Sequence, residues 1–286
     1  MIRLVVFLGL LGFAEVQAQH THHAPPPADL EDPSVEAFVT AARAATEVYR
    51  DLDAAIAAGY RLMGPDMPNM GEHWIHPGRA VRRTFDPSAP AVLTYVQIEG
   101  EPVLTGVAYA VPVRPGEAAP PPPIPGAAWH FHSADLNEEA FGPTDPAAMQ
   151  SDAPAEVYRL AMLHTWIWLD NPDGLFAADN WSLPYVRIGL PVPKVPLADA
   201  ARAVFLLSEG VGYYTEAIRH LTAADAATLE RIRTVLTDYA EQVRELVSES
   251  SPAQAAVLGR LWNTLWDEIG VLLPVERRAA VAHFAE

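Results

Sequence analysis

The feature that most constrains this chain is the absence of cysteine from its 286 residues. Disulfide bonds therefore cannot stabilise the fold, and thiol nucleophiles and thiolate metal sites are excluded. Any transition metal ion must be bound by histidine, carboxylate or methionine side chains. Half of the residues are hydrophobic, which is enough for a substantial core in one large domain or two smaller ones.

The N-terminal segment has the composition of a secretory signal peptide. Arg3 precedes an uncharged apolar run, Leu4–Phe13, and Val16 and Ala18 occupy the small-residue positions of a cleavage site after Ala18. The run is shorter than the roughly 20 residues that a membrane-spanning helix needs. A buried N-terminal helix is the alternative. We predict that residues 1–18 are removed and that the protein is periplasmic or secreted.

The chain is acidic, with a net charge of −17 at pH 7. Removal of the predicted signal peptide leaves this charge unchanged, because Arg3 and Glu15 are lost together. An acidic surface repels the phosphates of nucleic acids and anionic membranes, so neither is an expected partner. No later stretch is long and apolar enough to span a bilayer, so no membrane insertion is expected. The acidity attracts cations mildly, or it simply keeps an exported protein soluble.

Hydrophobic spacing and proline placement predict an α+β fold in two parts. Residues 19–33 are polar and proline-rich, which is typical of a disordered segment. In residues 34–192 we predict an α+β domain, in which a helix precedes a small antiparallel β-sheet. Residues 197–286 are predicted to form a C-terminal helical hairpin or bundle, after the proline-spaced segment 191–196. A narrow apolar seam on these helices also allows helix-mediated self-association.

Local patterns predict the individual elements. Apolar residues at spacings of three and four predict one helix over 34–58, and the density of proline and glycine predicts a long ordered loop over 63–90. Alternation predicts a hairpin of strands 92–98 and 103–111. The remaining predicted elements are strands at 127–132, 162–169 and 185–190, and helices over 197–221, from 222 onward and after a capping pattern of Ser251, Pro252 and Gln254.

Five histidines fall in three short clusters of the α+β part. They are His73 and His76 in M-G-E-H-W-I-H-P, His130 and His132 in W-H-F-H, and His164 in L-H-T-W-I-W. Alternate side chains of a strand share a face, so His130 and His132 can bind one ion together. By the same rule His164 shares a face with Trp166 and Trp168. If the two strands are neighbours, His164 completes a three-histidine site, and a histidine of the first cluster supplies another ligand.

The expected cofactor is a transition metal ion, and imidazole ligands suit copper, zinc or iron. Three methionines, Met63, Met67 and Met70, precede His73. Thioether sulfurs beside imidazoles favour copper, Cu(I) in particular. The methionines can instead fill gaps beneath a loop, and each histidine can be a hydrogen-bonded structural residue.

Two carboxylates are candidates for supporting roles at such a site. Glu72 can act as a ligand or as a general base for a metal-bound water, and Asp170 can orient His164. Other chemistries lack a motif, since the chain has no G-x-S-x-G elbow, phosphate-binding loop or dinucleotide fingerprint.

Four motifs make the run from Tyr49 to Phe176 resemble an uncharacterised family of secreted bacterial proteins. The motifs, as they stand here, are Y-R-D-L-D-A-A-I-A-A-G-Y at 49–60, M-G-E-H-W-I-H-P at 70–77, V-L-T-G-V-A-Y-A-V-P at 103–112 and L-H-T-W-I-W-L-D-N-P-D-G-L-F at 163–176. The last is the most distinctive. The resemblance implies that His73 and His164 matter more than the other histidines.

The function expected from the sequence is that of an exported transition-metal-binding protein with a histidine-rich site. One alternative is a metal-dependent enzyme, either a hydrolase that uses metal-bound water or an oxidoreductase that uses copper or iron. Another is a non-catalytic interaction protein with structural histidines. A closed four-ligand site would favour binding, whereas an open metal position beside a base such as Glu72 would favour an enzyme.

Overall fold

A computed structural model describes residues 29–118, 120–132, 158–247 and 251–285. The predicted signal peptide and most of the predicted disordered segment lie outside these residues. The predicted α+β class is confirmed, because a curled antiparallel sheet of six strands follows an N-terminal helix and precedes a set of C-terminal helices.

The sheet has the strand order β1-β2-β3-β4-β6-β5, and every neighbouring pair is antiparallel. Its strands are β1 Arg61–Met67, β2 Gly71–Ile75, β3 Val92–Ile98, β4 Glu101–Val113, β5 His130–His132 and β6 Arg159–Thr165. The predicted hairpin is confirmed as β3 and β4. It turns through Glu99 and Gly100, whose φ angles of 53° and 85° belong to the tight turns that match strand twist.

The long loop predicted over 63–90 is wrong, because these residues hold most of β1, all of β2 and a short helix, α3, at Pro77–Ala80. Prolines and glycines suggested a loop here, but a strand tolerates them at its ends, at irregularities and on the edge of a sheet. Pro65 lies in an irregularity between Met63 and Met67 on an edge strand, where a missing N–H breaks no inner ladder.

The helix predicted over 34–58 is present but interrupted. Helix α1 spans Pro33–Thr46, a 3-10 turn spans Glu47–Arg50, and α2 spans Leu52–Ala57. Asp51 is the cause of the break, because its backbone is extended and its carboxylate accepts a hydrogen bond from the N–H of Asp53. This is an N-cap geometry that begins a new helix.

The C-terminal part is helical. Its helices are α4 Leu183–Arg187, α5 Ala198–Phe205, α6 Val211–Thr222, α7 Ala226–Val243 and α8 Pro252–Leu272, followed by a 3-10 segment Val275–Phe284. The strand predicted at 185–190 is wrong, since a helix begins at Leu183 with Pro184 in its first turn. A π-helical turn with Glu209 at φ 65° interrupts the helix predicted over 197–221. The Ser251–Gln254 capping box is confirmed.

Two large hydrophobic cores lie in the sheet part and the helical part. One is formed on a sheet face by α1 and large side chains such as Phe38, Tyr60 and Tyr109. The other contains Trp262 and begins at Trp181, ahead of the predicted boundary at 191–196. Among the described helices, none combines the length and apolar character that crossing a bilayer requires.

Candidate metal site

Four of the five predicted histidines lie on one face of the sheet, on three strands. His73 is on β2 opposite Thr94 of β3, and Thr94 is opposite Gly106 of β4. His164 of β6 is opposite Ala108 of β4. His130 of β5 is opposite Met162 of β6, and His132 follows His130 by two residues. Cross-strand partners and alternate residues share a face.

The curl of the sheet brings the two distant strands together. Strands β2 and β6 are three steps apart, so a flat sheet would separate them by about 14 Å, yet the ring centres of His73 and His164 are 5.7 Å apart. The residues between them are small, namely Thr94, Gly106 and Ala108. The face that carries the histidines is therefore concave, with a centre open enough for two imidazoles to meet across it.

Gly106 is necessary for this close approach. A Cβ atom at this position would lie 2.9 Å from the carbonyl oxygen of Thr165 and 3.1 Å from the Oγ1 atom of Thr94. The Thr165 backbone cannot move without displacing the end of the strand that carries His164. The sheet thus requires glycine at this position of β4, in the cross-strand row that runs from His73 through Thr94 to Gly106.

The four imidazoles form a continuous cluster. The ring centre of His130 is 4.9 Å from that of His132 and 5.0 Å from that of His164. The ring planes are tilted by 79°, 64° and, between His73 and His164, 53°. His73 and His164 are buried, with 9% and 3% of their surfaces exposed, and the β5 histidines are half-buried.

Burial keeps the two inner histidines neutral. Desolvation, and secondarily the nearby His132, lower the pKa of His73 from 6.5 to about 4. Desolvation, and then the other three histidines, hold the pKa of His164 well below its usual value. Both imidazoles therefore keep a lone pair at neutral pH, which is the form that binds metal ions.

Backbone carbonyls orient these two rings. The Nδ1 atom of His73 lies 3.2 Å from the Gly71 carbonyl oxygen, which can only accept, so Nδ1 carries the proton and Nε2 the lone pair. A backbone hydrogen bond with Ala178 partly offsets the lowered pKa of His164. The Nδ1 atom of His164 is buried and has no hydrogen-bond partner among the described residues. A carbonyl bond on one imidazole nitrogen, with the other left for the ion, is typical of metal ligands.

An ion pair between Asp66 of β1 and Arg187 of α4 borders the cluster on the His73 side. The guanidinium donates two hydrogen bonds to the carboxylate, at 2.6 Å and 3.0 Å. The Arg187 side chain is only 2% exposed. Asp66 raises the pKa of His73 slightly against the larger effect of burial, so the carboxylate is near that ring but is already bound by Arg187.

Other predicted site residues lie elsewhere. His76 is on the opposite face of the sheet, edge-on to the Tyr60 ring at 5.4 Å. Glu72 is on that face too, where its carboxylate accepts a hydrogen bond from Nε1 of Trp74 at 3.0 Å. Asp170 is exposed in the turn after the tryptophans, away from a position in which it would orient His164.

The prediction that Trp166 and Trp168 share the face of His164 is wrong for Trp168, which packs in the hydrophobic cluster of the opposite face, whereas Trp166 packs with Val96, two residues after Thr94 on β3. Strand β6 ends at Thr165, so alternation stops before either tryptophan. The Nε1 atom of Trp166 donates to the carbonyl of Ala177, and that of Trp168 donates to Oγ1 of Thr46. The two rings pack in different hydrophobic clusters.

Methionines also lie on the face of the histidines, and one of them, Met162, was missed from the sequence. Met63 lies opposite His73 in the β1–β2 register. Met162 lies opposite His130 and two residues before His164 on the same strand. The L-A-M-L-H spacing contains this relation, because residues two apart on a strand point together.

In the described ranges, no group of three or more histidine, aspartate or glutamate side chains is placed so that it could hold a metal ion. The imidazoles must rotate about their side-chain torsions to direct nitrogens at one point. No protein-family model, curated protein or solved structure matches the chain. The interpretation of the cluster therefore depends on its own geometry and chemistry.

Proposed function

We propose that this protein binds a transition metal ion, copper, zinc or iron, through His73, His130, His132 and His164. The observation that carries the proposal is the convergence of these four imidazoles from three strands. Strands β2 and β6 are not neighbours, so their histidines meet only because the sheet curls around small residues. A cluster that depends on long-range topology in this way is not a by-product of one H-x-H sequence.

The spacing of the rings supports the proposal. With metal–nitrogen bonds of about 2.0–2.1 Å, two imidazoles on one tetrahedral ion have ring centres about 5 Å apart. The distances of 4.9 Å, 5.0 Å and 5.7 Å are close to this value. Three of the six ring pairs thus already have about the spacing that a shared ion requires, and binding would need the rings to turn so that their nitrogens point at that ion.

The surroundings of the cluster favour binding over catalysis. Four imidazoles complete a tetrahedral ligand set and leave no open position for a substrate. Glu72, the predicted general base, is on the opposite face of the sheet and hydrogen-bonded to Trp74. The carboxylate of Asp66 is bound by Arg187. Storage, sensing or buffering of the ion is the role that such a site supports, in the periplasmic or secreted protein that the N-terminal sequence predicts.

The test is metal titration of tag-free, metal-free protein in which His20, His22 and His23 are replaced by alanine. This background removes loose binding by histidines near the N-terminus. Cobalt(II) is a useful probe because its visible absorption intensifies when it becomes tetrahedral. We expect one ion per chain, and a roughly 100-fold or larger loss of affinity in the His73→Ala and His164→Ala variants.

The matched control is His220→Ala, because His220 is an exposed histidine on helix α6 and belongs to none of the three strands that carry the cluster. This variant should bind the ion as the background protein does. Circular dichroism checks that each variant is folded. The proposal fails if the background protein binds none of Co(II), Zn(II), Cu(I) and Cu(II), or if a His130→Ala/His164→Ala double variant retains full binding.

A further inference from the structure

The histidine face also carries thioether sulfurs that neighbour the imidazoles. Met63 lies directly opposite His73, and Met162 lies directly opposite His130. Met162 is also the alternate residue before His164, and only 4% of it is exposed. Both methionines therefore share a face with the imidazoles, and each is a cross-strand neighbour of one of them.

The charge of the surrounding side chains is the second observation. Neutral groups dominate the cluster, namely imidazoles, thioethers and the small residues Thr94, Gly106 and Ala108 of the central strands. Among the described residues, the one carboxylate that acts on His73 is Asp66, and the positive charge of Arg187 balances it. Within that part of the chain, the cluster therefore offers an ion uncharged ligands and no uncompensated carboxylate next to His73.

These observations favour an ion of low charge. The cost of moving an ion from water into a buried site grows with the square of its charge, so a monovalent ion is far less costly to bury than a divalent one. Thioether sulfur is a soft ligand that suits Cu(I), whereas the usual zinc ligands are thiolate, imidazole and carboxylate groups. Imidazole accepts either metal and does not discriminate between them.

We infer that the site selects the cuprous ion over zinc(II), with the thioethers of Met63 and Met162 taking the places of two of the four imidazoles when Cu(I) is bound. This inference rests on the proposed metal-binding function and names the ion that it serves. Binding involves no oxidation or reduction, because copper enters and leaves as Cu(I). The protein is then a cuprous-ion carrier or buffer, and loss of the thioethers should change its metal preference and leave the imidazole ligands in place.

The test compares Met162→Leu and Met63→Leu with Met70→Leu, a control that makes the same change in the β1–β2 turn. Leucine keeps the apolar volume and removes the sulfur. Cu(I) affinity is measured under argon with ascorbate, by competition with a chromophoric cuprous chelator, and Zn(II) affinity by competition with a fluorescent zinc chelator. We expect Cu(I) affinity to fall roughly tenfold or more in the first two variants, with Zn(II) affinity unchanged and the control like the starting protein.

The outcomes separate this inference from the proposed function. If both ions bind and neither methionine variant changes Cu(I) affinity, the thioether inference is overturned and the histidine site stands. The same holds if Cu(I) and Zn(II) affinities fall by equal factors, which would indicate damage to the sheet face. If neither ion binds the starting protein, both ideas fall. Should buried Met162→Leu not fold, half-buried Met63→Leu decides the question.

Discussion

At the scale of single residues, His73 and His164 make the folded protein sensitive to acid. An unfolded chain exposes both imidazoles to water, where the pKa is near 6.5, whereas burial lowers the pKa of His73 to about 4 in the folded chain. The unfolded state therefore binds more protons below pH 6.5. By linkage, the two neutral imidazoles make their full contribution to the free energy of unfolding above pH 6.5, and this contribution is lost as the pH falls toward 4.

The predicted size of this effect is substantial. Each unit of pKa difference is worth about 1.4 kcal/mol, so His73 alone should remove about 3 kcal/mol of stability by pH 4, and His164 adds to this. Urea unfolding of the metal-free protein in EDTA, at several pH values between 7 and 4, measures the decrease. A His73→Leu variant should show a shallower pH dependence, and an equal slope in both proteins would contradict the assignment.

Gly106 allows a second prediction at this scale. An alanine Cβ would approach the Thr165 carbonyl oxygen to 2.9 Å, so Gly106→Ala should lower the free energy of unfolding by about 1–3 kcal/mol. It should also weaken metal binding, because it pushes β6 away. Gly270→Ala is the control, since a Cβ there meets nothing within 4 Å and alanine is the better helix former. Equal stabilities of the two variants would contradict the role of Gly106.

The sequence predicted much of the candidate site, and the reason lies in strand alternation. The H-x-H spacing of His130 and His132 is a local relation, so it can be read without a fold. The pairing of His164 with them needed one further assumption, that two strands are neighbours. The proximity of His73 depends on curvature through Thr94 and Gly106, which no local pattern encodes.

At the scale of elements, β1 contacts both the neighbouring strand and the helical part of the chain. Its backbone pairs with β2, and the carboxylate of Asp66 binds the guanidinium of Arg187 on α4. Because the Arg187 side chain is almost completely buried, loss of one partner leaves a charge without compensation. The pair therefore fixes an edge strand to the helical part of the chain.

Arg187→Leu should be strongly destabilising for this reason. Removing one partner of a buried ion pair costs about 3–5 kcal/mol, and we expect the lower end because the Asp66 side chain is 20% exposed. The Asp66→Leu/Arg187→Leu double variant should recover much of the loss. Chemical unfolding of the two single variants and the double variant measures the coupling, and additive losses would show that the two side chains do not interact.

The sequence predicted elements well where they depend on local chemistry. The β3–β4 hairpin follows from alternation around Glu99-Gly100, and α8 follows from the capping box at Ser251. The failures share a different cause. Pro184 directly precedes the predicted strand 185–190 but lies in the first turn of a helix. Pro65 suggested a loop but lies in an edge strand. In both places the position in the tertiary structure decides what a proline allows.

At the scale of the whole molecule, helix α4 belongs to both parts of the fold. Leu183 packs with Val96 and Trp166 of the sheet part, whereas Tyr185 packs in the core of the C-terminal helices. Arg187, one helical turn after Leu183, binds Asp66 of β1. Three consecutive odd-numbered positions of one short helix thus join the sheet to the helical core, so unfolding of one part should carry the other with it.

Metal binding at the histidines should therefore protect the distant helix α8 from opening. An ion at a free concentration 100 times its dissociation constant stabilises the folded state by about 2.7 kcal/mol. If the two cores unfold together, this stabilisation applies to both of them. Hydrogen exchange of the metal-free and metal-loaded protein measures how much metal binding slows amide exchange in β2 and in α8. Amides that exchange only by global unfolding should slow by similar factors in both elements. Leu183→Ala should reduce the slowing in α8 more than in β2, because the cavity weakens the packing between the two cores. Protection confined to β2 in the unmodified protein would show that the two cores open independently and that α4 is not the coupling element.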